Sequence, residues 1–261
     1  MPTCETNGTS LYYEDSGDGH RAFFIHGMCG NANVWDDQVA RLSSKFRCIT
    51  YDRRGHTRSP LGKIEGRTVE LHADDAAGLI NALGIAPCVL VASSGGARIG
   101  VDLLRRWPEL FTAAVLSEPP IFGLDPERGG AGIMQTLQPA MQAAMQKGGT
   151  RAAVDAFFDY MCPGLWATLS EERKEPYRAN DGELLPDLQM PQYAISEDDL
   201  HKMTTHCLMV SGSISNPVLR RVTRLIAESM PSAKLVEFAG VGHVTYAEAP
   251  AEFADAVLSL A

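Results

Sequence analysis

The segment VLVASSGGARIG, residues 89–100, places two serines where an apolar run passes directly into a helix-like stretch. A turn this tight requires small residues two positions before and two positions after its apex. Ser94 meets that requirement with Ala92 and Gly96, whereas Ser93 would put a β-branched valine in the crowded position. The pattern predicts that the Ser94 hydroxyl stands above the sheet as a candidate nucleophile.

Two further segments could complete such a site. In FFIHGMCGNANVW, residues 23–35, a strand ends in His-Gly, so the Met28 N–H can act with the Gly95 N–H as a pair of oxyanion donors. In VEFAGVGHVTYAEAP, residues 236–250, His243 lies in a Gly-rich loop after the last predicted strand. Each feature alone is weak, and the order of oxyanion loop, serine turn and late histidine makes them informative.

Regular elements must position these residues. Apolar runs predict strands at 22–27, 46–52, 88–93, 113–118, 206–212 and 234–240. Apolar residues at helical spacing predict helices at 69–84, 96–107 and 216–230. Nearly continuous apolar strands joined by helices indicate an α/β fold with a mostly parallel sheet, buried on both faces.

The gap between the fourth and fifth of these strands is long, and it contains only helix-like stretches. We therefore predict a core domain formed by residues 1–121 and 204–261, with residues 122–203 inserted as a helical cap. A stripe of Met and Phe in that cap indicates an apolar substrate, although most of the stripe is expected to be cap packing. Trp166 is a candidate pocket residue.

With these motifs in place, the chain resembles the α/β-hydrolase family over almost its whole length. The resemblance rests on HGMCG, ASSGG, AGVGHVTYAEAP and the segment YDRRGHTRS at 51–59. It implies that Ser94 is the nucleophile, that His243 is the general base, and that the N–H groups of Met28 and Gly95 form the oxyanion hole. It also implies the α/β-hydrolase fold, with the helical cap inserted after the sixth strand.

One departure from the family pattern concerns the acid. Most members have an Asp about three residues after the Gly that ends the strand in MVSGSISNPV, residues 209–218, and this chain has Ser215 and Asn216 there. A carboxylate is needed because the imidazole must be held in one tautomer and its cation must be stabilised. Either the triad is broken or another element supplies the acid.

Glu118 is the predicted acid. In the family's sheet its strand lies between the nucleophile strand and the strand that usually carries the acid, so Glu118 faces the same crevice. Its position before a proline favours extended backbone, so we expect strand geometry. A carboxylate at this edge costs desolvation unless it is paired, and His243 is the natural partner. The Ser-Ser-Gly turn and the Glu-x-Pro sequence resemble the zearalenone-lactonase group, and with Glu118 as acid Ser215→Asp should change little.

The alternative for Glu118 is an edge carboxylate with a local hydrogen bond. Among other acids, Asp52 is expected to brace its own loop, Glu248 to cap the terminal helix, and Asp198 and Asp199 to be solvated. Cys29, beside the predicted oxyanion donor, is expected to be a small residue that fills a loop.

Composition excludes several classes of function. The formal net charge is −9 and Lys and Arg form no cluster beyond pairs, which argues against nucleic acid as a partner. The six cysteines show no CxxC or Cys/His spacing, so neither a metal site nor a disulfide framework is indicated, and no cofactor is expected. Without a leader or an apolar stretch of ~18 residues, we expect a cytoplasmic protein without membrane contact; the sequence makes no prediction of oligomeric state.

A serine nucleophile favours attack on an acyl carbonyl, in contrast to the carboxylate nucleophile of epoxide hydrolases and haloalkane dehalogenases of this fold. The predicted function is hydrolysis of a carboxylic ester or lactone of an apolar small molecule through an acyl-enzyme. Two alternatives stay open. One is a cofactor-free haloperoxidase-like enzyme or C–C bond hydrolase that uses the same Ser and His, and the other is a non-catalytic receptor on the same fold.

Overall fold

The computed structural model describes residues 2–261. Eight strands form one sheet, in the order β1-β2-β4-β3-β5-β6-β7-β8. The strands are β1 Thr3–Thr6, β2 Thr9–Ser16, β3 His20–Ile25, β4 Phe46–Tyr51, β5 Cys88–Ser93, β6 Phe111–Ser117, β7 His206–Gly212 and β8 Ala233–Phe238. Pairs among β3 to β8 are parallel, and β1 and β2 join the edge of the sheet by antiparallel pairing.

Eleven α-helices are present in residues 2–261. They are α1 Asp36–Leu42, α2 Val69–Ala82, α3 Gly95–Arg106, α4 Gly130–Met161, α5 Leu165–Thr168, α6 Glu171–Arg178, α7 Leu184–Leu188, α8 Glu197–His201, α9 Pro217–Ser229, α10 Thr245–Glu248 and α11 Pro250–Leu258. Short 3₁₀ turns connect several of them.

The sheet is covered on both faces. Successive strand residues point to opposite faces, and Leu90 and Val91 of β5 accordingly belong to two separate hydrophobic clusters. One cluster includes residues of α2, α3 and α9. The other includes residues of α1 and α11 and of helices between β6 and β7, such as α4 and α7. This two-sided burial explains why β5 is fully buried along its length. Together with the strand order and the parallel pairing of β3 to β8, it confirms the predicted α/β fold with a mostly parallel sheet.

Between β6 and β7 the chain forms α4 to α8 and two 3₁₀ turns, with no strand among these residues. Helix α4 is interrupted at Gly148 and Gly149, whose backbone angles are not helical, so it consists of two segments. The chain between β6 and β7 is therefore helical, as the sequence indicates, and its helices α4 to α8 are called the cap below. The domain limits at 122 and 203 stay a prediction.

Strands β1 and β2 were not among the predicted strands. Both are short on apolar residues, and β1 alternates between exposed and half-buried positions at the sheet edge. The continuous apolar runs that predict β3 to β8 are therefore missing from them. Across residues 2–261, no helix has the length and apolar character to cross a membrane.

Candidate active site

Ser94 lies at the apex of a sharp turn from β5 into α3. Its backbone has φ +54° and ψ −123°, a conformation that costs on the order of 1–3 kcal/mol and that occurs mainly at functional sites. The Ser94 N–H donates to Ser117 O at 2.8 Å, which ties the turn to β6. A β-carbon at Gly96 would lie 2.4 Å from Ile25 O, so the requirement for a small residue at this position has a clear physical cause.

His243 lies in the loop between β8 and α10, with its Nε2 at 3.0 Å from Ser94 Oγ. The loop is held by Glu248, whose carboxylate accepts hydrogen bonds from Gly242 N at 2.8 Å and Val244 N at 3.1 Å. The expectation that Glu248 caps the terminal helix is therefore wrong. It braces the backbone on either side of His243, because α10 folds it back over the loop.

The Glu118 carboxylate reaches the other side of this imidazole. Its Oε2 lies 2.7 Å from Nδ1 of His243, and Glu118 is fully buried. The predicted strand geometry is wrong, since β6 ends at Ser117 and Glu118 has φ +45° despite the proline that follows. The chain turns out of the sheet here, and the Ser117 hydroxyl holds the turn to Thr245 at 2.8 Å.

Three donors from the end of β7 and the loop after it stabilise the buried Glu118 carboxylate. Oε1 accepts from Ser211 Oγ and Gly212 N, both at 2.9 Å, and Oε2 accepts from Ser215 Oγ at 2.5 Å. A buried carboxylate without such partners would be strongly destabilising. Ser215, at the position where most of the family has an Asp, therefore donates a hydrogen bond to the Glu118 carboxylate.

The backbone of Met28 and the backbone of Gly95 lie close together beside Ser94. A β-carbon on Gly95 would lie 3.6 Å from Met28 N, and both residues contact the same cavity as Ser94. Within residues 2–261, neither amide donates to a protein acceptor. Two unpaired backbone N–H groups close to a serine hydroxyl are donors of the kind that stabilise an oxyanion, so Met28 and Gly95 stay the candidates for this role.

The loop that carries Met28 is held from the cap. Asn180 Nδ2 donates to Cys29 O at 3.2 Å and to Gly30 O at 2.9 Å. Arg53 donates to Gly27 O at 3.2 Å and forms a buried ion pair of 2.6 Å with Asp187 of α7. Cap and core are therefore joined by hydrogen bonds directly behind the two amides.

Burial controls the ionisation of the groups behind that loop. Burial alone raises the pKa of Asp187, but Arg53 and His56 more than offset it and hold this pKa well below its usual range. Burial and the charge of Arg53 hold the pKa of His26 well below its usual range. Burial raises the pKa of the Cys29 thiol well above its usual range, so this cysteine is no thiolate nucleophile.

A cavity of about 650 Å³ opens above Ser94. Its wall is mainly apolar, and three charged residues contribute to it, Arg98, Arg128 and Asp187. The cap supplies most of the apolar wall, through Ile133, Met134, Leu137, Phe157, Met161, Leu188 and Met190. This volume and composition suit a small, largely apolar ligand.

The expectation that Trp166 lines this cavity is wrong. Its ring stacks on Phe158, with centroids 4.5 Å apart, and its Nε1 donates to Asp155 at 3.0 Å. The indole is covered by the cap's own aromatic cluster, which also includes Tyr177. Trp166 therefore packs the cap.

The remaining predicted acids lie away from the nucleophile's contacts. Asp52 accepts from Ala32 N at 2.8 Å and from Arg58 at 2.7 Å, and so braces its own loop as expected. Asp198 is exposed, and Asp199 forms a capping box with Ser196 at the start of α8. No group of three or more potential metal ligands occurs within residues 2–261.

Sequence reasoning missed Arg98, Asp187, Asn180 and the donor role of Ser215. Arg98 carried a signal, because a charged residue interrupts the small and apolar start of α3 one turn after Ser94. The others depend on contacts between segments far apart in the chain, which no local pattern reports.

Comparison with known proteins places this geometry in context. The chain is 37% identical over 118 residues to the uncharacterized hydrolase YraK of Bacillus subtilis, an alignment that covers 45% of this chain and 44% of that relative. It is 28% identical to the non-heme chloroperoxidase CPO-A1 of Kitasatospora aureofaciens, over 93% of this chain and 92% of that protein. The carboxylesterase CesB of Bacillus subtilis has the same fold, with a TM-score of 0.82 at 18% identity over 99% and 90% of the two chains.

These comparisons leave the finer resemblance to the zearalenone-lactonase group as a prediction. The model of the Alpha/beta hydrolase family matches residues 22–256, which is most of the chain and includes the serine turn, the Glu118 turn and the histidine loop. The chain therefore belongs to the α/β-hydrolase family.

Proposed function

We propose that the protein hydrolyses a carboxylic ester or lactone of a small molecule through an acyl-enzyme. The observation that carries this proposal is the continuous hydrogen-bonded line from Ser94 Oγ to His243 Nε2 at 3.0 Å, and from His243 Nδ1 to Glu118 Oε2 at 2.7 Å. The line ends at a serine that opens on a mainly apolar cavity.

Each group has a role that follows from its position. His243 Nε2 takes the proton of Ser94 as the hydroxyl oxygen attacks the acyl carbon, and Glu118 holds the imidazole in the required tautomer and stabilises its cation. The amides of Met28 and Gly95 stabilise the oxyanion that develops on the former carbonyl oxygen. His243 then protonates the leaving alkoxide, which departs as the alcohol and leaves the acyl group on Ser94.

The acyl-enzyme is resolved by water. His243 removes a proton from the water as its oxygen attacks the acyl carbon, a second tetrahedral intermediate forms at the same amides, and the carboxylic acid is released. In a lactone the alcohol stays attached to the acyl group, so a single hydroxy acid is the product.

Active-site labelling provides the direct test. A fluorophosphonate probe should modify the wild-type protein at Ser94, as located by peptide mass spectrometry, and should not modify Ser94→Ala. In a panel of p-nitrophenyl esters and of aliphatic and aromatic lactones, the wild type should hydrolyse at least one compound, and Ser94→Ala should hydrolyse none. An unlabelled serine in folded protein, with no hydrolysis on the panel, would contradict the proposal and favour the receptor alternative.

A second candidate has one observation in its favour, the chloroperoxidase relative that matches over nearly its whole length. If a carboxylic acid acylates Ser94 with release of water, and hydrogen peroxide then replaces water as the attacking group, a peracid is released and Ser94 is regenerated. The peracid can oxidise a halide in solution and is itself reduced to the carboxylic acid. Acetate, hydrogen peroxide and bromide together should then brominate monochlorodimedone with wild-type protein and not with Ser94→Ala. The alternative of a degenerate receptor depends on a missing acid, and the Glu118 carboxylate at 2.7 Å from His243 Nδ1 supports the enzyme over that alternative.

A further inference from the structure

Arg98 brings a positive charge to the cavity. It lies near the start of α3, where its backbone N–H donates to the backbone carbonyl oxygen of Ser94 at 3.0 Å. Residues four apart share a face of a helix. Arg98 is part of the cavity wall that Ser94, Met28 and Gly95 also form. The cation therefore lies on the nucleophile's side of the cavity, one helical turn away.

Within residues 2–261, the Arg98 guanidinium has no ion pair and no hydrogen bond, and its Nε is fully buried without a partner. Burial lowers the pKa of Arg98, which reflects the cost of holding this cation away from water. Arg98 as a whole is half-buried, so the side chain stays accessible from the cavity that it lines. Charges withdrawn from water in proteins are normally paired, and an anionic ligand in this cavity would supply a partner.

Asp187 lines the same cavity but forms no ion pair with Arg98 in residues 2–261. Its Oδ2 is bound to Arg53 at 2.6 Å, with both side chains almost completely buried, while its Oδ1 is buried without a hydrogen-bond partner. The Asp187 charge therefore acts on Arg98 only through space, and it offsets part of the lowering of the Arg98 pKa by burial. Arg128, the third charged residue of the wall, is exposed at the rim and adds a second positive charge. The cavity is thus net positive in a chain whose formal net charge is −9.

We infer that the substrate carries a carboxylate in addition to its ester or lactone group, and that the Arg98 guanidinium binds it. A planar guanidinium matches a carboxylate with two parallel hydrogen bonds, and the mostly apolar remainder of the wall takes the carbon skeleton. This inference rests on the proposed function, because it names the class of ester or lactone that the Ser94 site accepts. Arg128 adds attraction at the entrance, which salt screens.

The test uses pairs of esters that differ only in charge. On the acyl side, p-nitrophenyl hemiglutarate is compared with p-nitrophenyl 4-carbamoylbutanoate, and on the alcohol side 4-acetoxybenzoate is compared with 4-acetoxybenzamide. In at least one pair, wild-type kcat/KM should be higher for the carboxylate, mainly through a lower KM. Arg98→Gln should reduce that preference on the order of 10- to 100-fold, as expected for a lost charge-assisted hydrogen bond.

Two variants serve as controls. Arg98→Lys retains the charge without the forked geometry and should keep part of the preference. Arg41→Gln removes the charge of an exposed arginine on α1 without an ion pair, and it should leave the preference of the wild type unchanged. Circular dichroism and thermal unfolding establish that each variant is folded.

Some outcomes would overturn the inference while leaving the proposed function intact. These are hydrolysis of the amide-bearing esters at least as fast as the carboxylates, or equal losses on both members of a pair in Arg98→Gln. If no ester is cleaved and Ser94 is not labelled, the proposed function fails, and calorimetric binding of glutaric acid mono-4-nitroanilide reads the anion site alone. Binding that Arg98→Gln abolishes supports the site, and binding equal in both proteins overturns it.

Discussion

Ser215 Oγ donates a hydrogen bond of 2.5 Å to Oε2 of Glu118, the same carboxylate oxygen that lies 2.7 Å from His243 Nδ1. Position 215, where the family pattern has an Asp, therefore contacts the carboxylate that we propose as the triad acid. In that proposal the acid follows β6 instead of β7, and Ser215 supplies a donor to it. The ends of both strands lie at the carboxyl edge of the sheet, where open α/β sheets bind their ligands.

The first prediction concerns the nucleophile. Ser94→Ala should lower kcat for ester hydrolysis on the order of 10⁶-fold, because the acyl-enzyme can no longer form. Ser93→Ala should stay within about tenfold of wild type, a change of roughly 1.4 kcal/mol or less, since Ser93 is the last residue of β5 and lies below the turn. Steady-state kinetics on one p-nitrophenyl ester measures kcat for both variants. Equal losses of kcat in Ser94→Ala and Ser93→Ala would mean that the assignment of Ser94 as the nucleophile is wrong.

Local pattern was sufficient to predict the sharp turn at Ser94 and the loop that carries His243 after the last strand. The serine turn needs small residues within a few positions, and Gly96 shows why, since any side chain there would meet the backbone of β3. The late histidine was predicted from its order in the chain. The serine turn and the histidine loop each lie within about 15 consecutive residues, so both can be recognised in the sequence without knowledge of long-range contacts.

The surroundings of Glu118 were harder to predict. Its predicted role follows from the topology of the family's sheet, but its positive φ opposes the preference of a residue before proline. Hydrogen bonds to Ser211, Gly212 and Ser215 override that local preference, and they come from a strand more than 90 residues away. The prediction that Trp166 lines the cavity was wrong for a related reason. The sequence of a cap helix does not say which of its faces is directed to the cavity.

The second prediction concerns the buried thiols. Burial raises the pKa of Cys29 and Cys162 well above the usual range, so neither should react with a disulfide reagent at pH 8. Cys4 is the partly exposed cysteine of the six. A Cys4→Ser protein should show no fast reaction with Ellman's reagent until it is unfolded in guanidinium chloride. Fast native labelling of Cys29 with loss of hydrolysis would contradict this picture of the oxyanion loop.

The third prediction concerns the buried pair that joins cap and core. Asp187→Asn leaves Arg53 buried without its counter-ion, which should lower the free energy of unfolding by about 3–5 kcal/mol at pH 7. Because Arg53 and His56 hold the pKa of Asp187 below its unfolded value, this contribution is complete above pH about 4 and is lost as pH falls through the folded pKa.

Urea unfolding of wild type and Asp187→Asn between pH 3 and 8 measures that difference. The gap between the two should be constant from pH 5 to 8 and should narrow below pH about 4. Asp18→Asn, at an exposed turn position without an ion pair, is the matched control and should change stability by less than about 0.5 kcal/mol. A gap that widens as the pH falls would reverse the sign of the linkage.

The last prediction tests Glu118 as the proposed triad acid, through the Oε2 atom that contacts both Ser215 and His243. Glu118→Gln removes the charge and can hold the wrong tautomer of His243, so kcat should fall on the order of 10⁴-fold, roughly 5 kcal/mol. From sequence alone, Ser215→Asp is expected to be neutral. The 2.5 Å contact reverses that expectation, because two carboxylates would meet at His243 and repel each other.

Ser215→Asp alone should therefore lower both kcat and stability, the latter by about 1–3 kcal/mol. In the Glu118→Gln background there is no second carboxylate to repel Asp at position 215, and the new carboxylate lies near His243, so part of the lost rate should return. The effect of Ser215→Asp on kcat then has opposite signs in the two backgrounds, and a double-mutant cycle on kcat measures this coupling. Independent, additive effects in folded proteins, or a Glu118→Gln enzyme within about tenfold of wild type, a change of under roughly 1.4 kcal/mol, would mean that Glu118 does not serve His243.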